Sequence, residues 1–85
     1  MPEIKAGIVT HYFGRIGVAV IRATDAPIAV GDKIHIKGHT TDHIQVVESI
    51  QSEHQQIPRI EVGKDAGVKV GVHAHEHDIV YKVTD

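Results

Sequence analysis

The chain has 85 residues, 41% of them hydrophobic, with no cysteine, eight histidines and a formal net charge of −2. That length supports one domain, residues 1–85, and not two. Lack of cysteine excludes disulfides, thiolate metal sites and a cysteine nucleophile, and the near-neutral charge excludes the broad basic footprint of a general nucleic-acid binder.

β-Branched residues are frequent, Gly or Pro interrupts the chain at short intervals, and no stretch holds a helical period over three turns, so the elements read as short strands. The first runs from Ile4 to about Phe13, and Gly14-Arg15-Ile16-Gly17 supplies the turn. The second is Val18 to Ala23, whose four opening apolar residues predict a strand covered on both faces. Thr24-Asp25-Ala26-Pro27 breaks it, and Val30-Gly31-Asp32 makes a tight turn. In the third, Lys33 to Lys37, Ile34 and Ile36 point inward while Lys33, His35 and Lys37 point to water. After Gly38 and the polar loop His39–Asp42, a long strand covers Ile44 to Gln51 with a bulge near Val47 to Ser49. Ser52 to Gln56 is turn-like, and Ile57-Pro58 cannot lie in a central strand. The fifth strand is about Ala66 to Val72, and the sixth is Ile79 to Val83 after a turn at His77-Asp78.

Six short strands without a helix predict an all-β, six-stranded antiparallel closed barrel, since closure removes exposed edges. The expected core is Ile8, Val18, Val20, Ile34, Ile36, Val46, Ile50, Val68, Val70 and Val80. No apolar run is long enough for a membrane helix and Met1-Pro2-Glu3 opens no signal peptide, so the expected location is cytoplasmic, without membrane contact.

Two segments carry a family resemblance. Val30-Gly31-Asp32-Lys33-Ile34-His35-Ile36-Lys37-Gly38 is similar to the V-G-D-x-[IV]-x-[IV]-x-G segment of translation-factor barrels. Val47-Glu48-Ser49-Ile50-Gln51, followed by Ile57 and Val62-Gly63, resembles the V-x-[SG]-[IV]-[EQ] strand and the following turn of elongation factor Tu-like proteins. Gly14-Arg15-Ile16-Gly17-Val18-Ala19 resembles their G-R-G-x-V-A hairpin, with Ile16 in place of a glycine. The resemblance, to the second domain of translation elongation factors and to small stand-alone translation-factor-like proteins, spans about residues 4–83. It implies a barrel of the reductase/isomerase/elongation-factor type that contacts tRNA, the ribosome or a protein. It also implies ligand-pocket positions at Gln51, Glu53 and Asp65, where the carboxylates would repel a phosphate and accept from an amine or ribose hydroxyl. No G-x-x-x-x-G-K-[ST] loop occurs, so no GTPase, bound nucleotide or other cofactor is expected. Similar barrels are also appended to collagenase-type peptidases, which gives the alternative expectation of an accessory or structural domain acting with an enzyme or a protein partner.

Arg15, Lys33, Lys37 and His39 are the candidate RNA contacts, beside Tyr12 and Phe13, which either stack on bases or close the barrel end. In His73-Ala74-His75-Glu76-His77-Asp78, an extended backbone would bring His73, His75 and His77 to one face, where three imidazoles can hold zinc. A solvated hairpin loop is the expected reading. Ser49 and Ser52 lie on no nucleophile elbow, so no catalytic residue and no enzyme activity are expected.

Overall fold

The computed structural model describes residues 2–84. It contains ten strands: β1 Glu3–Phe13, β2 Val18–Ala23, β3 Ile28–Ala29, β4 Lys33–Lys37, β5 Asp42–Val46, β6 Ile50–Ser52, β7 Gln55–Gln56, β8 Arg59–Ile60, β9 Asp65–Lys69 and β10 Ile79–Val83. Among the described residues there is no helix, so none is long and apolar enough to cross a membrane. Eight strands form one antiparallel sheet in the order β5-β4-β10-β1-β2-β9-β6-β7, and β3 and β8 pair separately. The all-β antiparallel expectation holds, but the six-stranded closed barrel is corrected: the ladder stays open, with β5 and β7 at its edges.

Breakage of the expected strand Ile44–Gln51 explains much of the difference. Val47 leaves the line of β5 and turns inward, its N–H donating to the Asp32 carbonyl at 2.8 Å and its carbonyl accepting from Gly31 N–H at 2.8 Å. The backbone so engaged cannot continue into β6, which pairs with β9 instead. Gly31, at φ +95°, provides the left-handed corner of the Ala29–Asp32 turn. Asp32 fastens that turn by accepting the Ala29 N–H on its carboxylate at 2.8 Å.

The core is aliphatic. Ile21, Ile28, Ile34, Ile36, Ile50, Ile60, Val9, Val47, Val68 and Val80 are its largest fully buried side chains. Six of the ten expected core residues are buried: Ile34, Ile36, Ile50, Val68, Val70 and Val80. Ile8, Val18 and Val20 are only half-buried, and Val46 is 50% exposed. The register shifts along β1, between Lys5 and Gly7 and between Val9 and His11, set the parity that faces inward. Gly7 is required at the first shift because a Cβ there would collide with the Arg22 carbonyl.

Candidate functional site

A groove of about 510 Å³ lies at the tip of the β1–β2 hairpin, with Phe13, Ile16, Val18, Val20, Gln51, Glu53 and Gly67 in its lining. Its floor follows from register. Val20 pairs with Gly67, and Gly67 pairs with Gln51, so one row of residues crosses three strands. Gly67 keeps that row shallow, since a Cβ there would meet Val18 Cγ1 at 2.9 Å. Ala19 and Ile21 take the core side of β2, which leaves Val18 and Val20 for the groove. The expected cover on both faces of β2 is corrected: the Ala19 and Ile21 face is buried, whereas the Val18 and Val20 face is apolar but open to the groove. Phe13 and Ile16 stand at the rim, 47% and 60% exposed. Ile16 is an apolar residue in a glycine-bounded turn, a signal for surface binding that strand periodicity does not use. The groove presents an apolar floor, an amide and a carboxylate rim, a surface suited to binding.

Of the pocket positions implied by the resemblance, Gln51 and Glu53 line this groove and Asp65 does not. Asp65 instead accepts from the Arg22 guanidinium at 3.2 Å, an exposed pair that contributes little stability. Glu53 and His54, at φ 52° and 65°, form the two-residue turn between β6 and β7. Tyr12 packs against the core and stacks on His73 at 4.6 Å, whereas Phe13 lies outside with its ring edge-on to His11 at 4.4 Å. Of the two aromatic residues, Tyr12 alone packs against the core, and since the sheet is open neither closes a barrel end.

The four candidate cations occupy two places: Arg15 in the β1–β2 turn, and Lys33, Lys37 and His39 along β4 and its following turn. Carboxylates interleave with the second group. Between Lys33 and Lys37, His35 binds Glu3 and Asp42, and close to the start of β4 Asp32 pairs with Lys82 at 3.2 Å. No continuous basic face results.

The histidine run follows a bend at Gly71–Val72 and contains a turn at Glu76–His77, with no strand in it, so the period-two rule of an extended strand does not apply. His73 and His75 stack at 4.8 Å, and His75 Nδ1 lies 3.1 Å from Thr41 Oγ1. His77 adopts a left-handed φ of 76° and donates its backbone N–H to the Val9 carbonyl at 2.8 Å. Buried Asp78 holds this turn by accepting the His75 N–H at 2.8 Å, and its carboxylate sits where a Cβ on Gly38 would be. Among the described residues, no three His, Asp or Glu side chains are placed to hold a metal ion.

No protein-family model matches the chain. Over 80 residues, 93% of the chain, it is 32% identical to an uncharacterized protease of Methanocaldococcus jannaschii, and it spans 19% of that protein's length. The C-terminal domain of a candidate U32 peptidase from Geobacillus thermoleovorans has the same architecture, with a TM-score of 0.86 and 20% identity over 95% of this chain and 93% of that one. Its selenomethionine variant gives 0.82 and 20% identity over 89% and 95% of the two chains. These matches correct the elongation-factor reading, and with it RNA, the ribosome and protein biosynthesis. The segments that suggested it are turn-and-strand chemistry: Val30-Gly31-Asp32 is a glycine corner feeding β4. The fold of this chain is that of the C-terminal domain of the candidate U32 peptidase from Geobacillus thermoleovorans.

Proposed function

We propose that this chain is an accessory β domain of a U32-type peptidase, contributing a protein-docking surface and no catalytic group of its own. The observation that carries this reading is the 32% identity across nearly the whole chain to about one fifth of a larger protease. The groove beside Phe13 and Ile16 supports it, because exposed aliphatic and aromatic side chains around an apolar floor are what a protein partner covers. That partner is the peptidase body, joined to the domain in one chain or meeting it as a separate one.

Calorimetric titration of the chain against a U32 peptidase stripped of its C-terminal domain tests this. Association is expected, and Ile16→Asp should weaken it about tenfold or more, as a charge placed at an apolar contact centre does. Absence of association at millimolar concentration, or equal affinity of the Ile16→Asp variant, would overturn the reading.

A further inference from the structure

β9 is flanked by β2 and β6, but beyond its last pair with β6, Val68 with Ile50, the chain from Lys69 to Gly71 faces the edge strand β5 across a seam that no backbone ladder closes. The seam is a groove of about 400 Å³, with His43, Gln45 and Val46 on one wall and Lys69, Val70 and Gly71 on the other. Hydrogen-bonded pairs alternate along an antiparallel ladder. Gly38 N–H donates to the Thr41 carbonyl and Val47 N–H to the Asp32 carbonyl, so the pairs between them that exchange bonds are Ile36 with His43 and Ile34 with Gln45. The N–H and C=O groups of Asp42, Ile44 and Val46 therefore face the seam.

On the opposite wall, Lys69 C=O and Gly71 N–H also point into it. Gln45 Nε2 donates to the Lys69 carbonyl at 2.9 Å, and Gln45 Oε1 accepts from Gly71 N–H at 2.9 Å. The same Nε2 donates to the Val46 carbonyl at 3.4 Å. One carboxamide thus touches main-chain groups of both walls. Its two bonds beside Val70 are those that one residue of a parallel neighbouring strand would make, N–H to the carbonyl before and C=O from the N–H after. Ile44 and Val46, 46% and 50% exposed, stand on this edge strand with apolar side chains that edge strands ordinarily avoid.

We propose that the seam is a binding site for an extended polypeptide segment, which enters as a strand between β5 and the Lys69–Gly71 stretch and displaces the Gln45 carboxamide that stands in for it. Main-chain hydrogen bonds to both walls recognise it, and Ile44 and Val46 favour aliphatic side chains at neighbouring positions. This inference rests on the hydrogen bonds of the two walls and not on the identity of the peptidase.

The test is an NMR titration of the whole chain with the blocked peptide acetyl-Thr-Val-Thr-Val-Thr-amide. Backbone amides of Ile44, Val46 and Gly71 should shift. Gln45→Ala should bind about fivefold tighter, because one hydrogen-bonded group no longer has to be displaced. Gly71→Leu should abolish binding, since a Cβ at Gly71 points toward His43 and Gln45, at 3.5 Å and 4.0 Å, and a longer side chain fills the seam. The same peptide N-methylated at alternate residues should also fail. Unmoved Ile44, Val46 and Gly71 amides in both wild type and Gln45→Ala, or equal binding of the N-methylated peptide, would overturn the proposal and leave Gln45 as a seal on the sheet edge.

Discussion

His35 joins three strands through its two ring nitrogens. Nδ1 lies 2.8 Å from Glu3 Oε2 in β1, and Nε2 lies 2.5 Å from Asp42 Oδ1 in β5. A carboxylate at each nitrogen favours the imidazolium, which donates at both. The bond to Asp42 raises the His35 pKa above its ordinary 6.5, burial opposes the rise, and Glu3 adds to it. The bond to His35 in turn holds the Asp42 carboxyl below the usual carboxylate range, assisted by the charge of Lys37. A raised histidine value gives stability that is full below pH ~6.5 and is lost as pH rises through the folded value. A lowered carboxyl value gives stability that is present above its ordinary range and lost as pH falls through the folded one. The clamp is therefore strongest in mild acid and weakens toward alkali. Urea midpoints of the wild type should fall relative to His35→Gln as pH rises above about 6.5. Parallel pH profiles for the two proteins would show that the clamp carries no stability. Alternation with Lys33 and Lys37 correctly places His35 on the outward face of β4, but it carries no sign that Glu3 and Asp42 reach over from other strands and leave the residue 9% exposed.

β5 reverses the ordinary sense of a half-buried strand. Gln45 pairs with Ile34 and His43 with Ile36, and opposed residues share a face, so two polar side chains lie on the core side. Ile44 and Val46 point outward. Hydrophobic parity alone assigns Val46 to the core, as it assigns Ile8, Val18 and Val20, and in each case the deciding contact lies elsewhere in the chain. Ile44 and Val46 also border the seam, whereas Val47 is buried where β5 ends. Val47→Ala should cost about 2 kcal/mol, from roughly 0.8 kcal/mol per buried methylene plus a cavity contribution. Val46→Ala should stay within about 0.5 kcal/mol of wild type. Chemical denaturation of the two variants checks this, and the opposite order of effects would mean that Val46 belongs to the core. Where a strand is bounded by turn residues and has one clear apolar face, as in β4, the sequence is sufficient. Where apolar residues follow one another, as in β2, both parities satisfy the pattern and the bulges of β1 decide. The groove itself is legible only in part: Gln51 and Glu53 through strand–turn resemblance, Phe13 only as one of two aromatic residues with a stacking or a packing role, and Ile16 not at all as a site residue. Gln45 carries no local mark, because its partners lie 24 and 26 residues away.

The sheet as a whole depends on its last strand. β10 pairs with β1 on one side and with β4 on the other, so the two ends of the chain meet in the interior of the strand order. Turn residues mark the local hairpins β1–β2 and β4–β5, but nothing in a single sequence marks this distant pairing. Without β10, the β4–β5 hairpin would lose its connection to the remaining strands of the large sheet, and an isolated two-stranded hairpin is marginal in water. Val80 and Val83 would also leave the core, where they are 0% and 8% exposed. A chain ending at Asp78 should therefore lose cooperative thermal unfolding altogether, rather than melt at a slightly lower temperature. Circular dichroism across a temperature ramp reads this directly. A cooperative transition in the truncated chain would show that β1, β2, β9 and β6 fold as an independent unit. The pairing of first and last strands would then be a late docking step rather than the contact that makes the sheet one cooperative structure.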